Sequence, residues 1–224
     1  ALYDEMKRTG HFSCANPLVQ KLYENKVWGQ KSNYVEIPTD CPQRDERMGY
    51  TGDGQVFALT GSYTFDTEAF WAKFLKNIRY SQMDNSEGYV AATIPAQGPA
   101  GLGFLSMLGW GNAVTILPEM LRWQYGNDYH LEVQYDSMKQ FVEMEIQKME
   151  GKDLWLSPSL GAWLMPGKDM AWAAMHNGPV SNTLIVNDLR ILTDTARRLG
   201  KQEDAKRYSE HLATTRQATL PCFM

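Results

Sequence analysis

Apolar residues recur in this sequence at helical spacing almost from end to end, which leaves room for little but a helical frame. Asn16-Pro17 is a start signal, an N-cap followed by a proline at the first helical position. Val19, Leu22, Tyr23 and Val27 then share a face. After Asp66, Phe70, Trp71, Phe74, Leu75 and Ile78 step by one and three. After Asp128, Leu131, Tyr135, Met138, Val142 and Met149 predict a long helix closed by Gly151. Ile185, Leu189, Leu192, Ala196 and Leu199 predict another, stopped at Gly200, and Ala205, Tyr208 and Leu212 a last one. Shorter helices fit Val56–Leu59 and Asn112 to Tyr125, where Pro118 should bend the backbone or end its first turn. The count is roughly seven helical segments with almost no convincing strand. The expected class is all-α, and no internal repeat supports a solenoid.

Three long connections interrupt this frame: Asn33–Gly54, Tyr80–Gly111 and Gly151–Pro179, the last with Trp155, Trp163 and Trp172. Each exceeds the ~12–15 residues usual for a structureless link. Loops rich in Gly, Pro and aromatics on a helical frame either build a site or merely cover the open end of the core.

Composition removes several classes. The 224 residues carry a net charge of −4, which gives no electrostatic reason to expect nucleic acid as a partner. No apolar run approaches the ~20 residues of a membrane span, so a soluble protein without a membrane partner is expected. The compartment is open, with cytoplasmic slightly favoured over secreted. Three cysteines, Cys14, Cys41 and Cys222, form neither a disulfide framework nor a CxxC. The four histidines, His11, His130, His176 and His211, are scattered without HExxH, so neither a metal nor another cofactor is expected. Gly151-Lys152-Asp153 and Gly167-Lys168-Asp169 lack a phosphate loop, Gly101-Leu102-Gly103 is a weak fingerprint with Ser106 in the wrong place, and no GxSxG elbow occurs. Ala1 at the start and Leu220-Pro221-Cys222-Phe223-Met224 at the end read as cuts inside a longer chain.

What remains is the stretch from Pro38 to Asp53. Asp40, Asp45, Glu46 and Asp53 place four carboxylates within fourteen residues, with Arg44 and Arg47 between them and Pro42, Gly49 and Gly52 as punctuation. Pro and Gly deny it a continuous helix, so it is an ordered loop. One reading is a solvated turn whose exposed ion pairs contribute little. The other starts from the flanking Tyr34, Val35, Ile37, Tyr50, Val56 and Phe57. Carboxylates among aromatics split their pKa values, leaving one acid protonated. Glycoside hydrolysis needs that: one carboxyl protonates the leaving oxygen while another activates water.

Ile37-Pro38-Thr39-Asp40-Cys41-Pro42-Gln43-Arg44-Asp45-Glu46-Arg47-Met48-Gly49-Tyr50-Thr51-Gly52-Asp53 resembles the signature loop of α-L-rhamnosidases of glycoside hydrolase family 78. The resemblance continues through Gln55-Val56-Phe57-Ala58, Gly109-Trp110-Gly111-Asn112-Ala113, Pro118, Tyr125-Gly126 and Gly161-Ala162-Trp163-Leu164. It implies an (α/α) six-hairpin toroid, incomplete in this chain, with residues 1–224 as part of one such catalytic domain. It also implies hydrolysis of terminal α-L-rhamnose from rhamnosides with inversion. Carried over residue by residue, it makes Glu46 the general acid. Asp40, Arg44 and Asp53 would bond the sugar hydroxyls, and Tyr50, Trp110 and Trp163 would offer flat faces to the ring. Tyr50 stands where the family usually has Trp. For the remaining tryptophans core packing is the preferred reading, Trp71 above all.

Three departures follow. Asn112 and Ala162 replace common aspartates, each losing a possible sugar or structural contact. The family's general base, a Glu in a Gly-Glu-Trp-like context, has no counterpart here. A six-hairpin ring also needs about twelve helices, against roughly seven read from periodicity. The expectation is therefore either the acid-bearing part of an inverting glycosidase or a carbohydrate-binding fragment without turnover. A plain helical interaction domain is the third reading. Exposed packing faces of a cut ring predict self-association or a missing C-terminal half.

Overall fold

The computed structural model describes residues 4–83, 85–96, 108–159, 161 and 164–223. Eight α-helices occur among them: α1 Pro17–Asn33, α2 Thr51–Ser62, α3 Glu68–Met83, α4 Ala113–Tyr125, α5 Tyr129–Lys148, α6 Met170–His176, α7 Gly178–Arg198 and α8 Gln202–Thr219. Two strands of two residues, β1 Tyr34–Val35 and β2 Ile37–Pro38, pair antiparallel around Glu36. The all-α expectation holds. The small hairpin was unreadable because two residues carry no period. No helix among the described residues is long and apolar enough to cross a membrane.

Local signals explain most boundaries. The Asn16 side chain accepts from the amides of Leu18 (2.9 Å) and Val19 (3.4 Å), with Pro17 opening α1. Asp66 accepts from the amide of Glu68 at 3.3 Å before α3. Gly126, Gly151 and Gly200 take positive φ after α4, α5 and α7, where a side chain would be strained. Helix α4 runs through Pro118 without a break. The structure thus corrects the expected end there: Pro118 lies close to the helix start and is itself buried, so packing holds the turn that lost one hydrogen bond.

Helix α4 is the central element and touches α2, α3, α5 and α7. Its Val114, Leu117 and Leu121 are fully buried. Short links join α4 to α5 and α7 to α8, and each of these pairs packs together as a hairpin. The stripes read from sequence face inward: Trp71, Phe74 and Ile78 on α3, Met138 and Val142 on α5, Ile185, Leu189 and Leu192 on α7. Truncating any one of these to Ala costs about 2–5 kcal/mol.

Two expectations fail at the periphery. On α1 only Val27 of the expected face is buried; Leu22 is 69% exposed and Val19 is exposed too, because α1 sits at the edge against β1. Among the tryptophans, Trp71 and Trp155 are core, but Trp28 and Trp123 are 63% and 65% exposed on outward faces. Trp28 is instead flanked by the Lys31 ammonium, 5.0 Å from its ring.

Candidate active site

The acidic loop is a strap hung between β2 and the first turn of α2. At one end Thr39 donates from its amide (2.8 Å) and its hydroxyl (2.7 Å) to the Asn33 carbonyl that ends α1. At the other, the Gly49 carbonyl accepts from Ile94 (2.9 Å), and the Thr51 amide and hydroxyl donate to Ala92 at 2.8 and 3.0 Å. Between them Asp40 closes the loop twice. Its amide donates to Met48 at 3.0 Å, and its Oδ1 accepts from the Met48 amide at 2.9 Å. A turn from Cys41 to Arg44 and a positive φ at Arg47 complete the path.

This path gathers the expected residues. Glu46 accepts from Arg44 Nε at 2.8 Å and Nη2 at 2.6 Å, and its other oxygen accepts from the Tyr50 hydroxyl at 3.0 Å. One donor atom each from Asp40, Cys41 and Glu46 lies within 4.8 Å of the others. Glu46 therefore lies beside Asp40, with 30% of its side chain open to solvent. A hydrogen bond to Asp40, with burial adding, pushes the Cys41 thiol up, so it keeps its proton.

Burial, then the bond to Glu46, pushes Tyr50 up to about 12, so its hydroxyl stays a donor throughout the neutral range. The Arg44 guanidinium is held above its usual range, chiefly by its bond to Glu46. Asp53, in the first turn of α2, opens to solvent on one side. Protein on the other side partly desolvates it, which raises its pKa, and Asp40 and Glu46 add to the rise.

A cavity of about 620 Å³ lies beside the strap, lined by Asp40, Asp53 and Trp110 together with Gln30, Asn33 and Phe57. Arg44, Glu46 and Tyr50 adjoin it through Asp40 instead of lining it. The Trp110 indole lies across the backbone of Gly52, where a Cβ would come within 2.9 Å of three ring atoms. An apolar ring and two carboxylates thus line one cavity, a combination suited to a ligand with both apolar and hydroxyl-bearing faces. Trp163, with its neighbour Ala162 and the 101–103 glycine pattern, lies outside the described residues.

Sequence reasoning missed the support beneath Trp110. Asn112 is fully buried, accepts from the Gly109 amide at 2.6 Å and donates to Asp188. The Asn112 amide thus makes two bonds of its own, one accepting and one donating. Asp188 and its neighbour Glu145 are fully buried as well. The available signal was a charged residue inside each apolar stripe, Glu145 beside Phe141 and Val142, Asp188 beside Ile185 and Leu189.

Comparison with known proteins agrees with this geometry. Residues 7–223 match the family described as bacterial alpha-L-rhamnosidase 6 hairpin glycosidase domain. An alpha-L-rhamnosidase of Alteromonas sp. (strain LOR) is 34% identical over 218 residues, covering 93% of this chain and 22% of that protein. The crystal structure of native α-L-rhamnosidase from Aspergillus terreus superposes with a TM-score of 0.84 at 32% identity, over 98% of this chain and 26% of that one. The Streptomyces avermitilis α-L-rhamnosidase complexed with L-rhamnose gives 0.84 at 29% identity, over 97% and 20%. The chain thus spans about a fifth to a quarter of the length of these relatives. With the all-helical hairpin frame, these matches show that the chain belongs to the α-L-rhamnosidase six-hairpin glycosidase family and carries part of that fold.

Proposed function

We propose that the protein containing this chain removes terminal non-reducing α-L-rhamnose from rhamnosides with inversion, and that this chain supplies the general acid, Glu46. Residues 1–224 would then form part of a single catalytic domain. The observation that carries the reading is the Glu46 carboxyl beside Asp40, held from two sides by Arg44 and Tyr50. In the reaction Glu46 gives its proton to the glycosidic oxygen as the bond to the anomeric carbon breaks. Water adds to the opposite face, and a second carboxylate takes its proton. Asp40, Arg44 and Asp53 bond the sugar hydroxyls, and Tyr50, Trp110 and Trp163 pack on its apolar face. The relatives are named α-L-rhamnosidases, and one was solved with L-rhamnose bound, which supports the substrate class.

The second carboxylate must stand about 6.5–9.5 Å from the acid to admit a water. No Gly-Glu-Trp-like segment occurs in this sequence, which favours a second reading for these residues alone: rhamnose binding without turnover. The test is Glu46→Gln in the intact protein, assayed with an aryl rhamnoside and a natural rhamnoside. The natural substrate, whose leaving group needs the proton, should slow by roughly 10²–10⁴-fold and the aryl substrate far less. Wild-type rates on both would end the assignment. Calorimetric binding of rhamnose by the isolated chain, with no cleavage, would support the second reading.

A further inference from the structure

Three helices bury an acidic chain of contacts that ends under the sugar-facing indole. Glu145 on α5 and Asp188 on α7 are both fully buried and adjacent. Neither Glu145 oxygen has a partner among the ordinary donors. Two buried carboxyls can bond only when one carries a proton. Both Asp188 oxygens already accept, Oδ1 from the Thr115 hydroxyl and Oδ2 from the Asn112 amide. Asp188 has two such partners and Glu145 none, so the proton between the two acids belongs on Glu145, and Asp188 is the acid of the pair that ionises first. Desolvation, the main cause, pushes Asp188 up to about 7 and Glu145 well above its ordinary value, in keeping with that division.

The chain continues upward. Asn112 precedes α4 without capping it; its Oδ1 turns back to the Gly109 amide at 2.6 Å. The Gly109 carbonyl accepts from Gln55 of α2 at 2.7 Å, so the residue before Trp110 is gripped at both ends. Gly109 takes φ +108° and faces Gly161 closely enough that a Cβ would lie 3.1 Å from the Gly161 carbonyl. An unpaired Asn amide could rotate or exchange its O and N. Fixed by Asp188, it must present oxygen to Gly109.

We propose that Asp188 and Asn112 are positioning residues of the sugar cleft: Asp188 orients the Asn112 amide, which locks the Gly109 peptide and so sets the Trp110 plate against Gly52. This rests on the proposed rhamnoside site for its functional consequence but not for its structural one. A plate that binds ground state and transition state alike acts on KM rather than kcat.

The test uses the intact protein and three variants, Asn112→Asp, Asp188→Asn and the swap carrying both. Asn112→Asp sets carboxyl against carboxyl, while Asp188→Asn replaces an acceptor with an amide that can turn either its oxygen or its nitrogen to Asn112 and so no longer fixes which atom Asn112 presents to Gly109. The swap restores every bond with reversed polarity and unchanged charge: residue 112 accepts from Gly109 and from the new amide at 188. Amide hydrogen exchange at Gly109 should quicken roughly tenfold or more in the single variants and return toward wild type in the swap. KM for an aryl rhamnoside should rise about tenfold in the single variants with kcat within about twofold, and recover in the swap. A swap no better than the single variants, unchanged Gly109 exchange, or a fall in kcat at constant KM would each overturn the proposal. If the wild-type protein proves to cleave no rhamnoside, the proposed function fails while the exchange measurement still decides the positioning claim.

Discussion

At the residue scale the acidic strap of the candidate site was legible, because its residues sit in one short stretch of sequence. Asp40, Arg44, Glu46 and Tyr50 fall together since Pro42 and Gly49 forbid a helix that would have spread them. The support of the indole plate was not legible, because Gly52 and Trp110 are distant in sequence and meet only through packing. That contact yields a prediction. Gly52→Ala would place a methyl 2.9 Å from the Trp110 ring, inside van der Waals distance. The ring must move off its seat, since α2 backbone lies behind it. Thermal unfolding should report a loss of about 1–3 kcal/mol, and rhamnose affinity should fall with it. Unchanged affinity at lowered stability would mean that Trp110 packs the cleft without touching sugar.

Among the elements, long periodic helices were read well and short or aperiodic ones were not. Helix α6, Met170–His176, fell within an expected loop because seven residues hold too little period, and its start depends on Asp169 accepting from the Trp172 amide at 2.8 Å. Helix α2 begins at Thr51, earlier than its apolar residues imply, because hydrogen bonds to Ala92 fix that turn. The strap itself depends on Asp40, which both closes the loop and faces the cavity. Two substitutions separate those roles. Asp40→Asn keeps an oxygen for the Met48 amide, so stability should stay within about 0.5 kcal/mol while sugar binding weakens. Asp40→Ala leaves that amide unpaired and should cost about 1–3 kcal/mol as well. Calorimetric titration with rhamnose beside a melting curve reads both. Wild-type binding in Asp40→Asn would reduce Asp40 to a loop closure.

For the molecule as a whole, the buried pair dictates how folding responds to pH. The periodicity of α5 and α7 showed which faces turn inward, but not that each face carries an acid meeting the other. Asp188 and Glu145 both hold their protons more tightly when folded than unfolded, chiefly through desolvation. Arg190 pulls Asp188 the other way but is engaged by Glu119 through two bonds of 2.8 Å. A carboxyl with a raised folded pKa contributes stability at low pH and loses it as pH climbs, because the unfolded chain then releases a proton that the native state keeps. From about pH 4.5 upward, through about 7 for Asp188 and across the range over which burial holds the Glu145 proton, stability should therefore fall with rising pH. The slope is about 1.4 kcal/mol per pH unit for each extra proton retained. Asp53 adds in the same direction. Asp204 does not offset it in this window: burial would raise its pKa, but bonds from Lys139 and Tyr135 outweigh that, so its contribution is lost only below the ordinary Asp range. Glu145→Gln removes one titrating group while still offering Asp188 an N–H. Melting temperatures of the variant between pH 5 and 8 should decline less steeply than those of the wild type, with the two curves converging toward pH 5. Parallel curves would mean that Glu145 is already ionised in the folded state and that Asp188 does not share a proton with it.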